Sequence, residues 1–178
     1  MMLGIVAEGM TEEKVVPVVL GWLGVRHRLS ISRADGADDL LQRARDLADW
    51  QLLKGATHVL FCIDADKFNR GERIAQLQAR LAEPRTGRVE EGVFFFVPIR
   101  EMEAWLLADE AALSKVVGNS VERQTDFEAP GAVERLHAIF HAQGGYSKTR
   151  HPRRIAEAAR DETWRRATSY EASTAGFR

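Results

Sequence analysis

The segments HVLFCI (58–63) and VFFFVP (93–98) are apolar over nearly their whole length, with no alternation between faces. Strands of that kind are buried on both sides, which is the habit of parallel sheets covered by helices. Two more strands precede them, the short apolar LGIVA (3–7) and the alternating RLSISR (28–33). Between the strands the apolar residues recur at helical spacing. Thr11 to Leu23 carries Val15, Val16, Val18, Val19 and Trp22 on one broad face, and Gly24 closes it. Pro17 inside that stretch predicts a bend or a late start. Asp38 to Leu53 is a second helix, stopped near Gly55, and Ile74, Leu77 and Leu81 mark a third that ends at Pro84. PRTGRVEEG (84–92) is a polar loop. The β-α-β-α-β-α-β order predicts an α/β fold with a central, mostly parallel four-stranded sheet flanked by helices.

After residue 98 helices take over. EMEAWLLADEAAL reads as one helix, 119–130 as polar loop, Val133 to His141 as a helix and Ile155 to Trp164 as a last one. The expected organisation is an α/β core over 1–118 and a helical C-terminal extension over 119–178, packed on the same domain. The 178 residues fit one compact domain. No run approaches the roughly 18 apolar residues of a membrane span, and no secretory signal is apparent, so a cytoplasmic location without a membrane partner is expected. Cys62 is the single cysteine, which excludes an internal disulfide and any cysteine-based zinc site.

The net charge of −1 does not advertise a polyanion partner, but its distribution is uneven. From Ser147 onward eight Lys/Arg face four Asp/Glu, a local +4 that leaves −5 for the rest. An acidic body with a basic end can hold a polyanion through bridging cations and direct phosphate contacts. A mixed-charge solvated helix accounts for the same count equally well.

The acidic residues fall where ligands bind in such sheets, at the carboxyl ends of the strands. Glu8 ends the first strand, Asp64-Ala65-Asp66 the third, and Glu101 and Glu103 follow the fourth. Glu12, four residues after Glu8, faces the same space if the first helix begins near Thr11. Asp64 and Asp66 point the same way if the chain between them is extended. Carboxylates gathered at one edge repel each other unless a cation joins them, and oxygen ligands suit Mg²⁺ (or Mn²⁺). Two such ions can flank a phosphodiester. Glu8, Asp64 and Asp66 are the expected ligands of a first ion, with Glu12 and Glu103 assisting a second. Simpler readings exist: an Asp-x-Asp also occurs in phosphotransfer domains and helix caps, Glu12 and Glu13 suit a helix N-terminus, and Arg100 offers Glu103 an ion pair.

At these residues the chain resembles the Toprim fold, a Rossmann-like architecture, which has a glutamate after its first strand and an Asp-x-Asp after its third. AEGMTEEKVV, FCIDAD, VPIREMEAWLLAD and GGYSKT are similar, more specifically, to the Toprim-like domain-of-unknown-function family 4276, over nearly the whole chain. That family is related to nucleases of the overcome-lysogenization-defect type. The relation implies a two-metal nuclease site with a second glutamate (here Glu12) and a lysine near the scissile phosphate, for which Lys148 is the match. Glu8, Asp64, Asp66 and Lys148 are then the catalytic residues. Those nucleases carry an ATPase on the same chain; no Walker-type loop occurs here, so an ATPase would be a separate partner.

Other residues read more plainly. Trp105, Leu106 and Cys62 are expected in the core, and Asp109 as a turn former. His137 and His141, four apart, are taken as structural. Arg150, Arg153 and Arg154 join Lys148 as phosphate contacts or else belong to a charged helix start. No aromatic-basic platform is present, so no sequence-specific reading of bases is expected. The functional expectation is a metal-dependent nuclease on nucleic acid, DNA in preference to RNA, with a homodimer as a way for a small domain to span a duplex. The alternative is a non-catalytic or regulatory subunit that binds metal or a phosphorylated ligand within an ATPase-containing complex for phage defence or DNA maintenance. A phosphatase is disfavoured because Lys67-Phe68 follows Asp66, without the usual Thr or Ser.

Overall fold

The four expected strands form β1 (Met2–Ala7), β2 (Arg28–Arg33), β3 (His58–Cys62) and β4 (Val93–Phe96) in a computed structural model that describes residues 1–82 and 92–175. They make one sheet in the order β2-β1-β3-β4, and every neighbouring pair is parallel. The connecting helices are α1 (Met10–Trp22), α2 (Ala37–Leu53) and α3 (Arg70–Leu81). α1 starts one residue before Thr11 and continues through Pro17, so there is no late start. α3 starts earlier than its apolar residues indicate, because Asn69 and Glu72 form a reciprocal capping box at its N-terminus. Pro84 and nearly all of the expected polar loop lie outside the described residues.

Alternation along the strands splits the interior in two. Leu3, Ile5, Leu60, Cys62 and Phe96 face one side, while Val6, Val59, Phe61 and Ile63 face the other with α2 and α3. Gly4 lies under α2, where a Cβ would meet the Gln51 Cβ at 2.7 Å. Gln51 uses that closeness to donate from Nε2 to the Ile5 carbonyl at 3.2 Å and to Ser32 Oγ at 2.8 Å. Gly4→Ala should therefore cost about 1–3 kcal/mol through overpacking, read as a lower denaturant midpoint at unchanged slope. An unchanged midpoint would show that α2 can shift freely.

Beyond β4 come α4 (Glu103–Leu107), α5 (Glu110–Val117), α6 (Ala132–Ile139), α7 (His151–Ala158), α8 (Asp161–Trp164) and α9 (Thr168–Thr174). The single helix expected from EMEAWLLADEAAL is two helices. Asp109 separates them, accepting from the Ala112 N–H at 2.9 Å to cap α5 and from the Arg160 N–H at 3.3 Å. The helix expected over 155–164 is also broken, since Ala159 and Arg160 are extended between α7 and α8. α6 stops at Ile139, and a short 3₁₀ turn follows over His141–Gln143. α9 has no strong periodicity; Glu128, from the 119–130 loop, accepts from the Thr168 and Ser169 N–H groups and hydroxyls and so caps it.

These helices cover the sheet face that α1 shares. Trp105 is the centre, with its ring 5.0 Å from Tyr170, 6.3 Å from Trp164 and 6.3 Å from Phe96, and its indole N–H donating to Ser169 Oγ at 2.9 Å. Leu136, Phe140, Ile155, Trp164 and Tyr170 share one buried cluster with Leu3 and Ile5 of β1. Among the described residues no helix is long and apolar enough to cross a membrane.

Candidate metal centre

β1 lies between β2 and β3, so the chain leaves it towards one side and resumes on the other. The crevice above the ends of β1 and β3 is the switch point at which such sheets bind ligands. Glu8 extends the ladder past β1, its N–H donating to the Cys62 carbonyl at 2.9 Å. Its carboxylate Oε2 then accepts the N–H of Asp64 at 2.8 Å, which ties the two strand ends together. Asp64 Oδ1 in turn accepts the Met102 N–H at 2.9 Å and fixes the entry to α4. Glu103, the first residue of α4, is 1% exposed and receives Thr11 Oγ1 at 2.7 Å and Lys148 Nζ at 3.2 Å, both on Oε1. Glu12, in the first turn of α1, is 4% exposed. Gly9 leaves it room, for a Cβ there would sit 3.1 Å from Glu12 Oε2.

Glu12, Asp64 and Glu103 each offer a carboxylate oxygen, and those three oxygens lie within 4.8 Å of one another. Burial, then repulsion from Glu103, pushes Glu12 up to about 8. Burial followed by Glu12 and Glu8 pushes Asp64 well above the carboxylate range, and burial also raises Glu8. Lys148 is the charged group that answers them: burial works to lower it, but Glu103 more than offsets this and raises it. The donor set suits a hard divalent cation, since all three groups are oxygen ligands held close in a site that penalises their unneutralised charge. The buried Tyr146 hydroxyl, which has no well-formed hydrogen bond, points to the same incompleteness.

The model of the family described as domain of unknown function DUF4276 matches residues 7–170, a span that contains every residue of this centre. The chain belongs to that family. Solved structures similar to this DUF4276 chain include the C-terminal region of the Burkholderia pseudomallei OLD protein, 17% identical, with a TM-score of 0.50 over 99% of this chain and 98% of that one. The C-terminal region of the Xanthomonas campestris pv. campestris OLD protein is 15% identical. Its platinum-phased structure gives a TM-score of 0.57 over 98% of this chain and 93% of that one. The iodine-phased structure gives 0.55 over 98% and 95%. At these identities the likeness is one of fold, and it makes the parallel sheet with its flanking helices a Toprim-like fold. No curated protein sequence matches the chain.

In this DUF4276 chain the expected site residues do not all play equal parts. Glu12, Asp64 and Glu103 converge, and Glu8 adjoins them through the Asp64 N–H. Asp66 does not continue in extended chain: its φ is +52°, so the two aspartates take different partners. Asp66 Oδ2 meets Arg73 at 3.1 Å, and its side chain is half exposed. Arg100 is not the partner of Glu103; it donates to the Asp66 carbonyl at 3.2 Å, and Lys148 holds Glu103 instead. Arg150 caps α7, and its charge and that of Arg154, after burial, lower the His151 pKa. Arg153 pairs with Glu157 at 2.7 Å. His137 Nδ1 accepts the Tyr146 N–H at 3.2 Å, a structural bond, while His141 lies beyond α6 in the 3₁₀ turn.

Three contributors escaped the sequence reading: Thr11, Tyr146 and Glu101. Glu101 accepts the Ala132 N–H at 2.8 Å at the start of α6. Thr11 sits beside Glu12 and Tyr146 within GGYSKT, so both were in plain view. A buried hydroxyl next to a carboxylate, however, has no sequence pattern of its own.

Proposed function

We propose that this chain is a divalent-cation-dependent, phosphodiester-processing enzyme of the Toprim nuclease type, acting on nucleic acid in the cytoplasm. The observation that carries the reading is the convergence of Glu12, Asp64 and Glu103, with Lys148 Nζ 3.2 Å from Glu103. Mg²⁺ or Mn²⁺ bound there would neutralise the carboxylates and act as a Lewis acid on a phosphodiester. Glu12, Asp64 and Glu103 would be its ligands. Glu8 would hold Asp64 in place and, with Asp66 at the rim, complete the acidic set for a second ion. Lys148 is half exposed, so its ammonium reaches both Glu103 and the solvent side, where a phosphate would lie. Arg150, Arg153 and Arg154 would contact the backbone without reading bases, which suits DNA of any sequence. A homodimer would give the small domain two such sites across a duplex.

The test is to incubate plasmid and linear DNA with Mg²⁺ or Mn²⁺, with EDTA as the control. Cation-dependent nicking or cleavage that disappears in Asp64→Ala is expected; activity surviving that substitution removes this centre as its source. One observation favours a second reading. The similar solved structures are C-terminal regions of OLD proteins, so a fold of this kind also works as part of a larger protein. This chain would then be a regulatory or dependent subunit with a separate ATPase, inert alone and active once that partner is added.

A further inference from the structure

The loop that delivers Lys148 also delivers a buried phenol. Gly144 and Gly145 take φ of +82° and +93°, and a Cβ at Gly145 would sit 2.9 Å from His137 Nδ1. The turn therefore needs glycine there, and it drives the next side chain inward. The Tyr146 ring lies between His137, at 6.0 Å, and His151, at 5.8 Å, and the residue is 5% exposed. Its hydroxyl reaches the neighbourhood of Thr11 and Glu103 but has no hydrogen bond of proper geometry. A buried donor left without a partner is destabilising, and Phe would fill the same space without that penalty.

Counting donors on Glu103 shows what the hydroxyl is for. Oε1 takes two donors, Thr11 and Lys148. Under the nuclease reading, on which this inference rests, Lys148 must leave Glu103 to meet a phosphate, and a divalent cation at the carboxylates would repel its ammonium. Glu103 then loses one of its two donors in a buried setting. We propose that Tyr146 is a positioning residue of the carboxylate centre, whose hydroxyl replaces Lys148 as the second donor to the Thr11–Glu103 pair when a divalent cation is bound. The phenol is neutral, so it can fill the vacated bond without opposing the cation.

The full chain with Tyr146→Phe tests this by two measurements that do not require turnover. Thermal unfolding in EDTA should leave the variant as stable as the parent or more so, because an unpartnered donor is gone. Calorimetric titration with Mn²⁺ should show affinity weakened about tenfold, the loss of one hydrogen bond to a charged group. Unchanged Mn²⁺ affinity overturns the proposal. So does a variant that melts several degrees lower in EDTA, since the hydroxyl would then already be bonded without the cation. A parent chain that binds no Mn²⁺ fails differently, because it removes the metal centre itself.

Discussion

Glu12→Gln should stabilise the cation-free protein at and above neutral pH while abolishing most of the stabilisation that Mg²⁺ or Mn²⁺ confers. Glu12 is 4% exposed, and burial followed by Glu103 raises its pKa from 4.5 to about 8. Between those two values the folded chain holds a proton that the unfolded chain has released. Stability therefore falls as pH rises through that window, by up to about 1.4 kcal/mol per unit. Below pH 4.5 the group contributes no loss, and above about 8 the loss is complete. Glutamine carries no such charge, so parent and variant should match near pH 5 and separate by on the order of 4 kcal/mol at pH 8 to 9. Asp64 and Glu8 are raised in the same direction, so the variant keeps a residual slope of the same sign. Denaturant unfolding across pH 5 to 9 in EDTA measures both curves. Parallel curves would mean that Glu12 is not a source of electrostatic strain.

The parts of this fold that are legible in the sequence are those set by one-dimensional pattern. The unalternating apolar runs at 58–63 and 93–98 specify doubly buried strands, and β3 and β4 form inside them. Strand ends then locate the acidic residues, because a carboxylate closing an apolar run must face a crevice. What the pattern does not hold is the partner of each polar group. Asp109 looks like one more residue of an apolar helix until its carboxylate is seen capping Ala112 and holding Arg160 across the structure. Asp66 reads as the twin of Asp64, yet a left-handed backbone gives it to Arg73. The helices after residue 118 look like an addition to the sheet, but Trp164 and Tyr170 close on Trp105 in the same cluster as β1. Contacts between residues far apart in the chain decided each of these, and periodicity carries no record of them.

Lys148→Met should change two properties in opposite directions. The ammonium sits 3.2 Å from Glu103, and Glu103 keeps it protonated despite partial burial. In the cation-free protein it is the counter-ion of the acidic cluster, so an incoming divalent cation competes with it for Glu103. A neutral side chain of similar length removes the competitor, and Mn²⁺ should bind several-fold more tightly by calorimetry. The same change removes the charge proposed to stabilise the phosphate in the transition state, for which a loss of about 10²–10³ in cleavage rate is the usual scale. Lys148→Arg keeps the charge and should hold Mn²⁺ affinity near that of the parent. Its planar guanidinium fits a point-charge site poorly, so its cleavage rate should fall between the other two. If Lys148→Met instead weakened Mn²⁺ binding, the lysine would be orienting Glu103 for the cation and not standing in for it. The donor exchange with Tyr146 would then lose its cause, because Lys148 would have no reason to leave.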